Sequence, residues 1–221
     1  MNNLLIDNCR RMLRDYLECS GKILYSAADT LKHGDIYFLG LNPGGTIHQD
    51  SKEFIGGSIE LLPSQTQNEF LDDSWKGRKP GTSPLQKRVC GLLEGLGYSV
   101  RSVCASNLIF MRSRTAEDLV DFKELADVCW PIHEMIITEI VKPRIILTHG
   151  VGNRSAYGYI KKLYFDKLES EVTVFPSGHG NTKCYFFRTK IKNQSVTVIG
   201  VPHLSRFTLK EQAVETIRGL L

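Results

Sequence analysis

Short, wholly apolar runs set between segments of helical periodicity constrain this chain most. Ile36-Tyr-Phe-Leu39 is bounded by His33-Gly34-Asp35 and Gly40, and Arg144-Ile-Ile-Leu-Thr148 follows the break at Pro143. A strand with no polar face is buried on both sides, and a sheet of such strands is parallel and covered by helices. The rest of the chain supplies those helices. Apolar positions from Leu4 to about Leu31 predict an amphipathic helix and a second short one. Ser83-Pro84 has the chemistry of an N-cap followed by a first helical residue, with Leu85, Val89, Leu92, Leu93 and Leu96 as the buried stripe and Gly95 or Gly97 as the stop. Further helices are expected at 124–141, from 152 to about 168 and at 208–220. Further strands are expected at 100–109, 172–175, 185–191 and 196–201.

Alternating helix and strand in this order predicts a three-layer α/β/α sandwich with a largely parallel central sheet. The 221 residues fit one domain, with an N-terminal helical segment at about 1–32 and a long irregular insertion at about 46–83. Loops of that length are usually functional. No run of about 18 apolar residues occurs and the N-terminus carries charge in every turn, so neither a membrane span nor an export signal is expected; the location expected is cytoplasmic. The six cysteines lie far apart without a C-x-x-C pair, which predicts free thiols and no metal site of that kind.

The net charge of +4 hides an uneven distribution: 0 over residues 1–49, −5 over 50–75, +7 over 76–114, −5 over 115–142 and +7 over 143–221. Such blocks are consistent with one positive face for a nucleic acid.

In open α/β sheets ligands bind beyond the carboxyl ends of the strands. Three loops leave those ends with uncommon polar residues: Gly40-Leu41-Asn42-Pro43-Gly44-Gly45, Ser106-Asn107-Leu108, and Pro202-His203-Leu204-Ser205-Arg206. Asn42 sits on a turn whose proline fixes φ and whose glycines allow close approach, so it either orients a ligand or simply closes an Asx turn. His48 and Asp50 follow closely enough to supply a general base, or are solvated loop residues. Gly150-Val-Gly152-Asn-Arg-Ser155 opens a helix but lacks the third glycine and acidic residue of a dinucleotide site. His149, and His179 with Ser177 or Cys184, lack the nucleophile elbow of a hydrolase.

Gly40-Leu-Asn-Pro-Gly44 resembles the Gly-Ile-Asn-Pro-Gly motif of the mismatch-specific branch of the uracil-DNA glycosylase superfamily. Cys129-x-Pro131 with Glu139-Ile140, Pro143 and Ile145-Ile-Leu ending at Gly150 is similar to a helix-to-strand segment of its bacterial and archaeal members. The likeness extends over most of residues 35–207. It departs at Pro202-His203-Leu204-Ser205, where the family has His-Pro-Ser or Asn-Pro-Ser, and the cysteine spacing is not that of members with an iron-sulfur cluster.

The resemblance implies the fold of that superfamily and a monofunctional DNA glycosylase without metal or organic cofactor, acting as a monomer on a flipped base. Asn42 and His203 would be catalytic, contacting water and the leaving base oxygen. Gly40, Leu41, Pro43, Gly44 and Asn107 would line the base, with Asn107 reading its edge or, alternatively, capping its strand. Arg112, Arg114, Leu204, Ser205 and Arg206 would meet DNA, with Leu204 and Phe207 as a wedge or as packing for the last helix. Uracil or a mismatched pyrimidine follows from the first motif, and the long loop would suit a bulkier base, such as those of phage genomes. The competing readings are an inactive nucleic-acid-binding module, suggested by the altered Pro-His-Leu-Ser order, and an enzyme acting on a free nucleoside or nucleotide.

Overall fold

The computed structural model describes residues 3–46 and 53–221. Among the described residues six α-helices, α1 (Asn3–Met12), α2 (Ile55–Leu61), α3 (Pro84–Gly95), α4 (Phe122–Met135), α5 (Ala156–Leu163) and α6 (Glu211–Arg218), surround six strands. The strands are β1 (Ile36–Gly40), β2 (Cys104–Asn107), β3 (Ile145–His149), β4 (Thr173–Pro176), β5 (Lys183–Ile191) and β6 (Gln194–Val201). They form one sheet in the order β2-β1-β3-β6-β5-β4. The pairs β2·β1, β1·β3 and β3·β6 are parallel, whereas β5 runs antiparallel to both β6 and β4. The sheet is therefore mixed and mostly parallel.

Side-chain alternation along the central strands divides the interior in two. Tyr37, Leu39, Ile146 and Val198 face a core shared with α1, α2, α4 and α5, while Ile36, Phe38, Ile145, Leu147 and Ile199 face one shared with α3 and α6. Helices thus cover both faces, and β1 and β3 are buried at every residue, in keeping with their apolar runs Ile36–Leu39 and Ile145–Leu147. Each large apolar side chain buried there contributes about 1.5–3 kcal/mol.

Local signals held where they were strong. Ser83 caps α3 in a reciprocal box: its Oγ accepts from Gln86 N at 3.3 Å and its own N–H donates to Gln86 Oε1 at 3.0 Å, with Pro84 next. Gln86 Nε2 then donates at 2.8 Å to the carbonyls of Glu69 and Asp73, tying the start of α3 to residues 69–73.

Three segments differ from expectation. The N-terminal helix ends at Met12, and residues 20–25 lie instead along the outer edge of β2 and its extension: Tyr25 N donates to Ala105 O at 2.8 Å and Lys22 N to Phe110 O at 2.9 Å. The edge strand's unpaired backbone groups outweigh local helical periodicity there. The stretch after Pro43 is not wholly irregular, since it contains α2, whose Ile55 and Ile59 are fully buried. Gly56 and Gly57 disguise that helix in the sequence; the Gly56 N–H bonds Leu17 O at 2.9 Å, and a Cβ there would crowd the same oxygen at 3.2 Å. Strand β2 is shorter than predicted, because Val100–Ser102 forms a 3-10 turn.

All six cysteines are free. Among the described residues no helix is long and apolar enough to cross a membrane.

Candidate functional site

Four adjacent parallel strands end in the same direction, and each delivers a polar side chain at or just beyond its end. Asn107 closes β2, Asn42 lies two residues past β1, His149 closes β3 and His203 lies two residues past β6. Gly40 and Asn107 are paired in register, as are His149 and Val201. Gly40 makes this convergence possible. A Cβ at that position would run into Asn107 Oδ1 and stand 3.0 Å from His149 Nε2. Its value lies in the missing side chain, because its φ is not positive.

Asn42 is held by its nitrogen. Nδ2 donates to Pro43 O at 2.9 Å, Met111 O at 3.3 Å and Ser113 Oγ at 2.8 Å. Ser113 is itself fixed, its Oγ donating to Thr115 O at 2.6 Å and its N–H to Pro43 O at 3.1 Å. With the NH2 group spent on protein acceptors, Oδ1 is the atom that the half-buried Asn42 can offer to water or a ligand.

His203 has a tautomer set by its loop. Ser205 N–H donates to its Nδ1 at 3.2 Å and Ser205 Oγ lies 2.8 Å away. An amide N–H only donates, so Nδ1 carries the lone pair and Nε2 the proton. Burial, then the Arg206 charge, holds this imidazole below the ordinary histidine pKa. The neighbouring ring of His149 meets it edge to face at 4.8 Å between centroids and stacks on Phe38 at 5.6 Å. His149 is pushed down to about 3 by burial and by repulsion from His203, so both rings are neutral near pH 7. Two polar atoms in this cluster are buried without a hydrogen-bond partner: Asn107 Nδ2 and His149 Nδ1.

An aromatic wall adjoins these groups. Phe70 packs edge-on against Phe38 at 5.7 Å, and Tyr25 packs against Phe70 at 5.8 Å and Trp75 at 6.4 Å. Burial pushes up the phenol of Tyr25, reinforced by Glu69 and opposed by Arg112 and the Asn107 side chain. Glu69 is paired with Lys22, yet burial outweighs that attraction and raises its carboxyl to about 7. Sequence reasoning did not single out Ser113, Tyr25, Phe70, Trp75 or the Lys22–Glu69 pair. The two aromatic residues Phe70 and Trp75 inside a polar insertion were the available signal.

The remaining expected site residues fall into two groups. Leu41 is half-buried, Pro43 buried and Gly44 exposed, while Arg114, Ser205 and Arg206 are exposed beside the cluster. Two residues do not fit a DNA contact. Leu204 is 1% exposed and packs in the α3–α6 core, so a wedge there would have to leave that core. Arg112 is spent inside the fold, donating to Gly44 O at 2.8 Å, Ser20 Oγ at 3.3 Å and Glu53 Oε2 at 3.2 Å, with 11% of its side chain exposed. It braces the Asn42 turn.

His48 and Asp50 lie outside the described residues. Ser155 serves as the N-cap of α5, accepting from Gly158 N at 3.0 Å. Ser177 Oγ pairs with Thr182 Oγ1 and Cys184 is buried, which gives no nucleophile and base pair around His179. No protein-family model matches the chain, and no curated protein does.

Proposed function

We propose that the protein is a monofunctional DNA glycosylase that hydrolyses the N-glycosidic bond of a flipped base and leaves an abasic site. The observation that carries this reading is the convergence of Asn42, Asn107 and His203 at the ends of neighbouring parallel strands, with the hydrogen-bonding roles of Asn42 and His203 fixed by their anchors. Breaking the bond generates positive charge on the sugar and negative charge on the departing base. Asn42 Oδ1 accepts a hydrogen bond from the attacking water, whose oxygen bonds to C1′ while its proton passes to solvent. The base leaves with the bonding pair, and His203 Nε2–H donates to its carbonyl oxygen. A neutral imidazole suits this donation because it stabilises the developing anion without a full buried charge in the resting site. Asn107 reads the base edge.

DNA is the partner in this reading, met by the exposed Arg114 and Arg206. Oligonucleotides carrying uracil, mismatched thymine, hypoxanthine or hydroxymethylated and glucosylated cytosine, incubated with the protein and then treated with alkali, test it. Strand cleavage at one of these bases is the expected result. Salt-sensitive DNA binding without cleavage at any of them supports an inactive binding module instead.

A further inference from the structure

The hairpin that joins β4 to β5 has no part in the chemistry assigned above, although the topology delivers it to the same end of the sheet. Strand β5 runs antiparallel to β6, with Tyr185 opposite Gly200, so the turn at 177–182 stands beside the end of β6 and the loop that carries His203. It is fastened there. Lys210 N donates to Ser177 O at 3.0 Å, the ring of His179 meets that of Phe207 at 5.4 Å between centroids, and a Cβ on Gly178 would run into the Lys210 side chain. The turn is also braced internally: Ser177 N donates to Thr182 O at 3.1 Å and Thr182 N to His179 O at 3.1 Å, while Gly178 and Gly180 take the positive φ values, 78° and 53°, that the reversal needs. Core packing does not account for this hairpin, since β4 buries only Phe175.

Charge sets this corner apart. From Val172 to Lys210 the chain holds no aspartate or glutamate against six lysines and arginines. Lys183 at the base of the hairpin, Arg206 and Lys210 are exposed, and among the described residues none of the three has an ion-pair partner, whereas Lys190 further along β5 is bound to Glu169 at 3.0 Å. We propose that the 177–183 hairpin, together with Lys210, is a second DNA-contacting element that grips backbone phosphates on one side of the flipped nucleotide. This rests on the glycosylase reading of the site and names where the strand leaves it. Unpaired cations gathered at one corner repel one another, and a polyanion passing them removes that repulsion; a nucleic-acid backbone is such an anion. Neighbouring strands are about 4.8 Å apart, so β5 and β4 lie about 5 and 10 Å beyond β6, which is about one to three nucleotides at about 3.4 Å each. Lys183 and Lys210 flank the turn and meet phosphates there. Arg114 lies on the opposite side of the site, just after Ser113, which bridges to Gly44 beyond β1. Because the turn is already braced, gripping the strand costs little ordering of backbone, and the contact of His179 with Phe207 couples that grip to the His203 loop.

The test measures binding of the full chain to duplexes carrying the candidate bases, by fluorescence anisotropy over a range of salt, alongside excision of the same bases. Lys183→Glu/Lys210→Glu is compared with wild type and with Lys32→Glu/Lys192→Glu, which changes the net charge equally. Lys32 and Lys192 are exposed at the opposite end of the sheet, before β1 and between β5 and β6. The hairpin variant is expected to bind about tenfold or more weakly, with the slope of log affinity against log salt smaller by about 2. The control, whose charges lie beyond the screening length, is expected to stay within about threefold of wild type. Neutral methylphosphonate linkages one to three nucleotides from the base, on one side, are expected to weaken wild type and to leave the hairpin variant unaffected. Lys210→Glu keeps the Cβ and Cγ that pack on Gly178 and places a carboxylate at the start of α6, where the helix dipole favours it. Lys183→Gln/Lys210→Gln serves as a second variant should the first not fold, and the methylphosphonate scan of wild type needs neither. Excision by wild type, with both double variants weakened equally or neither weakened, rejects the role of the hairpin and leaves the glycosylase reading standing. Loss confined to the hairpin variant, with no excision by wild type at any base, upholds the hairpin as a nucleic-acid contact and rejects that reading. Absence of salt-dependent binding by wild type overturns the proposal.

Discussion

The amide of Asn107 lies across the Cα of its sheet neighbour Gly40, its Oδ1 occupying the space where a side chain at position 40 would begin. Any Cβ at position 40 therefore displaces Asn107 and presses on His149. Gly40→Ala is expected to destabilise the fold by about 1–3 kcal/mol through overpacking and to abolish excision. Pairing it with Asn107→Ala should restore most of the stability and none of the activity. Urea unfolding of the two single variants and the double variant measures this, and additive losses would show that the two residues do not compete for the same space.

Asn42 is anchored through its nitrogen and works through its oxygen. Asn42→Ala is expected to lower the excision rate by about 100-fold or more, on the scale of losing one transition-state contact, with DNA affinity within a few-fold of wild type. Ser113→Ala removes one anchor and leaves two, so a loss of about tenfold is expected. Single-turnover rates alongside fluorescence anisotropy separate the two effects. Equal losses of binding and rate in Asn42→Ala would contradict a role in catalysis.

The arginines of the 112–114 segment should behave oppositely. Arg114→Glu and Arg206→Glu change exposed charges and are expected to weaken binding to all sequences and to flatten the dependence of affinity on salt. Arg112→Ala breaks bonds to Gly44, Ser20 and Glu53, so its expected signature is a loss of stability of about 1–3 kcal/mol together with a loosened Asn42 turn. Were Arg112→Ala to alter only the salt slope, its guanidinium would belong on the DNA face instead.

Two buried histidines make stability depend on pH. His133 is 0% exposed and held neutral, its Nε2 donating to Leu108 O at 3.0 Å and its Nδ1 accepting from the Tyr37 hydroxyl at 2.9 Å; burial pushes its pKa down to about 4. His149 is pushed to about 3. Unfolded histidines titrate near 6.5, so between about pH 6.5 and 4 the unfolded chain binds protons that the folded one refuses. Stability is therefore expected to be full above pH 6.5 and to fall as pH drops, by about 3 kcal/mol per histidine across that window. Glu69, raised to about 7, tilts the curve the other way between about pH 4.5 and 7, because the folded state then holds the extra proton. Denaturation of wild type and His133→Leu between pH 4.5 and 7.5 isolates the histidine contribution. The variant is expected to be less stable at neutral pH but to lose less on acidification, and parallel curves would rule out His133 as a source of the slope.

The elements legible in the sequence are those whose cause is local. The apolar runs of β1 and β3 announce a sheet covered on both faces, and Ser83, Pro84 and Gln86 mark the start of α3 because a capping box is complete within four residues. Helix α2 was hidden because Gly56 answers to the backbone of Leu17, distant in sequence, and the 20–25 segment was misread because its partner is the edge of β2. The site divides in the same way. Asn42 and His203 stand out by their position after apolar runs, whereas Arg112 and Leu204 looked available to DNA until packing turned one inward to Gly44 and buried the other.

From the sequence by itself came the layered α/β architecture and the loops that carry the polar residues, since burial periodicity and turn chemistry act over a few residues. Tertiary structure alone decided which nitrogen of His203 bears the proton, which atom of Asn42 is free, and that His149 and Asn107 meet over Gly40 with unpaired atoms. The Asn42 anchor Ser113 and the meeting of Asn107 with His149 bring together residues distant in sequence, and the His203 tautomer, though set by Ser205 two residues on, depends on how that loop folds back on itself.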